Sequence, residues 1–343
     1  MTLHGPVVVT GALADGGVLA AVLGGAVVAE AGVVGGVTGV VLRGLTEDAL
    51  ARLDHYGTAL GLTQVPDIAV ELPGGVVRAR AWLDAAPLVP DAREVAVAVM
   101  ALQGKMPEAR IRARLGSLRV AVASRVRAAA TAARGLRVGT GEVVEEAREV
   151  VHAGFFAVEE SHLRFRRFDG QWSATIRREV FQSGDAVTVL PYDPARDRVL
   201  LIEQMRMGPF GRGDPLPWQL EAIAGRIDPG ETPEDCARRE AVEEAGLALG
   251  ALKKVAEYYP SPGAMTEYLY SYVALCDLPD GCAGVFGVAN EAEDIRGHLV
   301  GFAQFMDLVA SGEVANAPLI LTALWLQRER ARIRQAPGGF TPP

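Results

Sequence analysis

Cysteine is scarce in this chain. Cys236, Cys276 and Cys282 are the full set. Their number is odd and their spacing fits no zinc-ligand pattern, which argues against a disulfide framework and points to a reducing cytoplasm. Positive charge is in deficit as well. The formal net charge is −8, and affinity for a phosphate backbone comes mainly from Lys and Arg, so a general nucleic-acid binder is disfavoured. That balance leaves room for a small anionic substrate held through a metal. Spanning hydrophobic runs are missing too. The Gly/Ala/Val/Leu run between Asp15 and Glu30 falls short of the ~20 residues that a membrane helix needs. No Lys or Arg precedes it to make the n-region of a signal peptide. It reads as a buried strand and helix of a small domain, with no membrane partner.

Half of the 343 residues are apolar and 22% are charged, ordinary for a globular protein and enough for two domains with separate cores. Residues 1–86 read as a compact β-rich unit. Val7-Val8-Val9 is a buried strand, Gly16-Gly17 a turn, and Val33 to Leu42 a strand with bends. A capped helix opens at Thr46, and a hairpin turns at Pro73-Gly74-Gly75. Residues 87–150 change texture to Ala, Arg and Val at helical spacing and read as a helical connector. Their arginines (Arg110, Arg112, Arg114, Arg119, Arg125, Arg127) have no interleaved aromatics to stack bases, so they read as a solvated face or a dock for acidic surface. Residues 151–335 alternate strands and helices, beginning with a hairpin at Asp169-Gly170.

The stretch Gly225 to Leu247 carries the chemistry. It reads GRIDPGETPEDCARREAVEEAGL. Thr232 is an N-cap, Pro233 suits the first helical position, Asp235 stands where a capping-box partner stands, and Gly246 stops the helix. At about 100° per residue, Glu240, Glu243 and Glu244 share one face. Carboxylates so placed repel one another, and a hard divalent cation such as Mg²⁺ removes the conflict while keeping waters and substrate phosphates as further ligands. Arg239 is expected to point elsewhere and to reach back to Glu231, pinning the preceding loop onto the helix.

This spacing resembles the Nudix box, Gly-x5-Glu-x7-Arg-Glu-U-x-Glu-Glu-x-Gly-U with U aliphatic, Ala241 being the soft position. The resemblance implies an α+β chain whose residues 151–335 form a Nudix α/β/α sandwich with a mixed sheet. It also implies a hydrolase of nucleoside diphosphate derivatives with Mg²⁺ on the box glutamates, Mn²⁺ being a possible substitute. The flanks Ile202-Glu203-Gln204-Met205-Arg206, Pro217-Trp218, Leu220-Glu221, Ser261-Pro262-Gly263 with Glu267, and Glu291-x-Glu293-Asp294-Ile295 are similar to bacterial ADP-ribose pyrophosphatases. The two-part arrangement resembles their alphaproteobacterial branch labelled as tellurite-resistance-associated.

The subfamily resemblance implies cleavage of ADP-ribose to AMP and ribose 5-phosphate. The metal ligands would be Glu240, Glu244, Glu243, the Ala224 carbonyl and Glu293. Glu291 would be the base toward water, with the Glu291 and Glu293 roles exchangeable, and Glu244 and Arg239 would complete the catalytic set. Arg206 would meet the diphosphate, Arg178 the adenine and Glu267 the terminal ribose, with Glu221 and Ser261 nearby. Arg177 or Arg178 could instead pair across their hairpin. The resemblance also implies a homodimer that exchanges this hairpin. Two other readings stay open: a nucleotide-sugar diphosphatase, and a non-catalytic ADP-ribose sensor.

The first 86 residues resemble γ-glutamylcyclotransferases, with Thr10-Gly11-Ala12-Leu13 for Tyr-Gly-Thr-Leu and Leu53-Asp54-His55-Tyr56-Gly57-Thr58 for Leu-Asp-x-Tyr-Glu-Gly. The family's catalytic glutamate falls on Gly57, so this fold is expected without cyclotransferase activity. A dinucleotide-binding loop at Thr10-Gly11-Ala12 is the weaker reading, because Asp15 breaks the glycine register.

Overall fold

The computed structural model describes residues 5–25, 28–130, 142–287 and 293–335. The chain divides into two compact units, Met1–Arg137 and Val138–Pro343. No helix among the described residues is long and apolar enough to cross a membrane.

The first unit is built on a closed barrel. Its elements are β1 (Val7–Thr10), α1 (Gly16–Leu23), β2 (Ala29–Val34), β3 (Val37–Leu42), α2 (Glu47–Leu60), β4 (Thr63–Leu72) and β5 (Gly75–Leu83), with barrel order β1-β3-β2-β4-β5. Asp15 caps α1 by accepting from the Gly17 and Val18 amides, so the expected turn at Gly16-Gly17 is the first turn of a helix. The segment Val33 to Leu42, expected as one bent strand, is two strands around Gly35-Gly36. Both glycines have positive φ (56° and 85°), which a tight hairpin turn requires. Thr46 caps α2 as expected, accepting from the Ala49 amide at 3.1 Å.

The helices α3 (Ala92–Met100), α4 (Glu108–Ala113) and α5 (Leu115–Ala129) correct the expected connector. Helix α3 packs on α1 and α2, and α4 on α2. The apolar face Ala92, Val95, Ala96 and Val99 is buried there, and an amphipathic helix needs such cover. His55 of α2, itself buried, meets Glu108 of α4 at 2.8 Å. These helices therefore belong to the barrel unit, and no boundary falls at residue 86. Residues 143–150, also assigned to the connector, lie in strand β6 (Val143–Ala153) of the second unit.

In that unit β6, β7 (Ala157–Phe165) and β8 (Ile176–Gln182) form a three-stranded antiparallel sheet. The hairpin between the last two turns at Asp169-Gly170, where Gly170 has φ 81°. The main sheet begins with β9 (Ala186–Asp193) and β10 (Arg198–Met205), followed by α6 (Met207–Arg212), β11 (Trp218–Glu221), β12 (Ile223–Arg226) and α7 (Pro233–Ala245). It continues with β13 (Leu252–Tyr258), β14 (Leu269–Leu275), β15 (Val285–Phe286) and β16 (Ile295–Gly301), and closes with α8 (Phe302–Ser311) and α9 (Ala317–Gln335). The strand order is β13-β14-β9-β10-β16-β15, mixed as expected.

Strands β9 and β10 pair only at Asp193 and Tyr192 with Arg198 and Val199, then splay apart. Strand β12 fills the opening against β9, and β11 against β10. Every residue of β9 is buried, as a strand covered on both faces requires. On one face Val187, Val189, Ile202 and Ile223 pack against Cys236, Ala237, Ala241 and Ala245 of α7. On the other, Leu190, Leu201 and Val273 pack against Phe305 of α8 and Leu319, Ala323 and Leu326 of α9. This is the expected α/β/α sandwich, and the splayed strands bring the start of the box to the sheet's open end.

Candidate active site

Helix α7 is set by local chemistry. Thr232 accepts from the Asp235 amide at 3.1 Å, Pro233 opens the helix, and Gly246 closes it with φ 61°. Its N-terminal turn is tied to the sheet by the Tyr272 hydroxyl, which donates to Glu234 at 2.9 Å. The face toward β12 carries small residues, and this lets the two backbones approach closely.

Gly225 is the consequence of that approach. A Cβ on it would lie 1.8 Å from Glu240 Oε1 and 2.4 Å from its Cγ. The glutamate side chain therefore lies across the glycine, and a Cβ there would displace it. Glu244 is 3% exposed, and its Oε2 accepts from the Ala224 amide at 3.1 Å. Burial pushes the Glu244 carboxyl up to about 8; the Ala224 bond opposes the shift, and the charges of Glu240 and Glu293 add to it. Burial likewise lifts Glu240 to about 7 against the pull of Arg239, with Glu243 and Glu293 adding to the rise. Glu293 thus acts electrostatically on both box carboxylates. Glu291 lies outside the described residues.

Arg239 does reach back to Glu231, with Nε on Oε1 at 3.0 Å and Nη2 on Oε2 at 3.1 Å, and Nη2 also donates to the Arg226 carbonyl at 3.1 Å. It does not point away from the acidic face, however. Its Nη1 donates to Glu240 at 2.6 Å and to Glu243 at 2.9 Å. Three carboxylates converging on one helix turn draw the nearest guanidinium between them, which a count of helical angles does not anticipate.

The residues fit a hard divalent cation. The donors are carboxylate oxygens, two of them in surroundings so water-poor that their charged forms are disfavoured, and a positive charge would restore those forms. Glu240, Glu243, Glu244 and Glu293 are the residues that could hold it. Among the described residues, the group whose three ligand atoms lie within 4.8 Å of one another is Glu149, Glu160 and His162, and there Arg177 already pairs with Glu160 at 2.5 Å. Glu240 and Glu243, by contrast, are held by Arg239 and would have to turn from it to share a cation.

The remaining expected site residues fall into two groups. Arg206 and Glu221 are joined: Arg206 Nε and Nη2 each reach Glu221 Oε2 at 2.7 Å. Arg206 also bears electrostatically on Glu244 and on Glu267. Burial raises the Glu267 carboxyl, while Arg226 and Arg206 lower it. Glu267 stands on the loop that opens at Ser261, whose carbonyl accepts from the Ala264 and Met265 amides at 3.1 Å. That loop is anchored on β8. The Phe181 amide donates to Ala264, the Thr266 amide donates to Phe181, and Thr266 Oγ1 exchanges hydrogen bonds with the backbone of Ser183. Arg178 is outside this group: it is exposed on β8 and donates to the Arg177 carbonyl at 2.8 Å. Arg177 does pair within the hairpin, with Glu160 and with Glu179.

Two features escaped the sequence. The Arg226 guanidinium lies 4.5 Å from the Phe155 ring centroid and 5.0 Å from that of Phe156, and Phe156 packs on Phe181. The adjacent Gly154-Phe155-Phe156 has no periodicity to mark it. The other is a row of hydroxyls beside Glu267, formed by Tyr258, Ser271 and Thr188.

Residues 182–319 match the model of the NUDIX domain. The chain is 42% identical over 189 residues to an ADP-ribose pyrophosphatase of Escherichia coli (strain K12), covering 55% of this chain and 90% of that relative. It is 33% identical over 190 residues to an ADP-ribose pyrophosphatase of Haemophilus influenzae, covering 55% and 87%. A GDP-mannose pyrophosphatase of Enterobacter sp. (strain 638) is 34% identical over 151 residues, covering 44% and 78%.

Proposed function

The chain belongs to the Nudix family, and on that premise we propose that it hydrolyses the diphosphate of ADP-ribose to AMP and ribose 5-phosphate. The observation that carries the proposal is Glu240 lying across Gly225 beside the buried Glu244, with Arg206 acting on the same carboxylate. The family needs a divalent metal, and the all-oxygen donor set supports Mg²⁺, with Mn²⁺ as a substitute. Glu240, Glu243, Glu244, Glu293 and the Ala224 carbonyl would hold it, and it would supply positive charge to neutralise the diphosphate and to acidify the attacking water.

The chain's own groups do the rest. Arg206, held by Glu221, turns its fork toward the diphosphate. Glu267 takes the terminal sugar, and Ser261 shapes the loop that carries it. Arg239 keeps the box loop on the helix and balances Glu240 and Glu243. Glu291 removes the proton from the attacking water, a contribution of typically 10²–10⁴-fold for a general base. Arg178 reaches an adenine across a homodimer with exchanged hairpins. Val151 of β6 and Phe155 and Phe168, before and after β7, are 51%, 70% and 94% exposed, apolar side chains that a partner subunit would cover. Free thiols at Cys236, Cys276 and Cys282 support a cytoplasmic setting.

Similarity to the GDP-mannose pyrophosphatase supports a second reading, a nucleotide-sugar diphosphatase. Purified protein assayed with Mg²⁺ against ADP-ribose, ADP-glucose and GDP-mannose separates the two. ADP-ribose is expected to have the highest kcat/KM. A preference of about tenfold or more (~1.4 kcal/mol) for either hexose would sink the ADP-ribose assignment.

A further inference from the structure

Three hydroxyls line up across the sheet beside Glu267. Thr188 of β9 and Ser271 of β14 are direct cross-strand neighbours, and their oxygens lie 2.7 Å apart. Ser271 is fully buried and Thr188 nearly so. The hydroxyl of Tyr258, the last residue of β13, lies 3.2 Å from Ser271 Oγ. Apolar residues of the same shape would fill this space without the cost of desolvating hydroxyls, so packing alone does not call for them.

Three hydroxyls in a row have three protons and two links to make among themselves. One proton is always left to donate beyond the row, from an end or, where the middle hydroxyl accepts from both sides, from the middle. Thr188 closes one end inside the sheet. Tyr258 is the half-buried end, and it pairs across the strands with Leu269, two residues along the chain from Glu267. Burial raises the Tyr258 phenol, the bond to Ser271 lowers it, and the charge of Glu267 raises it further. The pairing of Tyr258 with Leu269 brings the phenol toward the segment that carries the Glu267 carboxylate at the open end of the sheet, the one able to donate and accept, the other able only to accept.

We propose that Tyr258 is a specificity-determining residue: its hydroxyl, held in place by Ser271 and Thr188, joins Glu267 in binding a vicinal diol on the substrate's terminal sugar. The inference rests on the reading above that the substrate is a nucleoside diphosphate carrying a sugar. The carboxylate accepts from one hydroxyl of the diol and the phenol bonds the other. A sugar lacking one of the two leaves a half-buried polar group without its partner, and sites of this kind reject such analogues strongly.

The test compares wild type with Tyr258→Phe on ADP-ribose and on the two analogues that each lack one hydroxyl of the terminal diol. For ADP-ribose, Tyr258→Phe should raise KM by about three- to tenfold, the loss of one neutral hydrogen bond, and leave kcat essentially unchanged. For one deoxy analogue, the one lacking the hydroxyl that the phenol bonds, the variant and wild type should have similar KM, while for the other the difference should persist. The double variant Thr188→Val/Ser271→Ala, which keeps Tyr258 but removes its support, should raise KM for ADP-ribose in the same direction. A role confined to packing would lower the melting temperature and leave KM for all three substrates where it was, and that outcome overturns the proposal. If wild type instead turns over only a nucleotide hexose, the ribose reading fails. The same comparison on that hexose and its deoxy analogues then decides the Tyr258 claim.

Discussion

Gly57 in the barrel unit and Gly225 at the start of the box are both glycines because something occupies the space of a side chain. The occupants differ. At Gly225 it is the carboxylate of Glu240, a group that can do chemistry. At Gly57 it is the Trp82 ring, which a Cβ would approach to 2.6 Å. The indole NH donates to Asp54 at 3.1 Å, which fixes the ring there. Nearby, Gly11 stands against the Asp84 carbonyl and the Ala12 amide donates to Ala86, so residues 84–86 fill the loop that the cyclotransferase resemblance singles out. One glycine leaves room for a carboxylate, and the other leaves room for an aromatic ring of the core. The same residue type at a close contact therefore says nothing about activity until its neighbour is known.

The comparison can be broken most sharply at Gly225. Gly225→Ala should lower kcat by about 10²-fold, the scale of an ångström-sized misplacement of a catalytic group. The atom it meets is the far end of a flexible side chain, so the melting temperature should move little. Near-normal kcat in this variant would mean that the position of Glu240 is not what the site depends on.

Gly57→Glu is the matching experiment in the barrel. The ring it meets is buried and held, so overpacking should cost about 1–3 kcal/mol and lower the melting temperature. Neither wild type nor variant should form 5-oxoproline from γ-glutamyl amines. Product above a no-enzyme control, from either protein, would show that the barrel has an activity for which its packing leaves no room.

A smaller effect separates structural from functional carboxylates within the second unit. Asp197 is held to about 2, first by Arg330, then by Tyr192 and Arg334, against the opposing effect of burial. A depressed folded pKa contributes stability that is present in full above the ordinary value of 3.8 and is lost as pH falls toward about 2. Asp197→Asn, which tolerates the positive φ of 57° at this position, should lower Tm at pH 7 by about 2–4 °C, the shift for ~1 kcal/mol in a domain of this size. The gap between variant and wild type should close between pH 4 and pH 2 on melting curves. Activity at pH 7 should not follow it.

How much of this the sequence carries depends on the range of the forces involved. The limits of α7 are legible because the Thr232 cap, Pro233 and Gly246 act within one turn. The sandwich is legible because β9 is largely apolar and the helices alternate with strands. Gly225 is legible as part of a pattern but not as a contact, since the reason for it lies fifteen positions along the chain in Glu240. Helical angles point Arg239 away because they describe directions from an axis and not the pull of three carboxylates. The span of α3 to α5 reads as a connector because periodicity shows which face is apolar and not which element covers it. Tyr258, Ser271 and Thr188 sit on three strands, and nothing local links them.

The central claim is that Glu240 and Glu244 together hold the divalent cation on which diphosphate hydrolysis depends. The most direct measurement is a Mg²⁺ titration of ADP-ribose hydrolysis by wild type, Glu240→Gln and Glu244→Gln, with metal binding followed in parallel by calorimetry. Each variant should lose on the order of 10²-fold or more in kcat, with weakened Mg²⁺ binding and an unchanged melting curve or a raised one, because like-charge repulsion is relieved. Wild-type kcat at saturating Mg²⁺ in either variant would contradict the account.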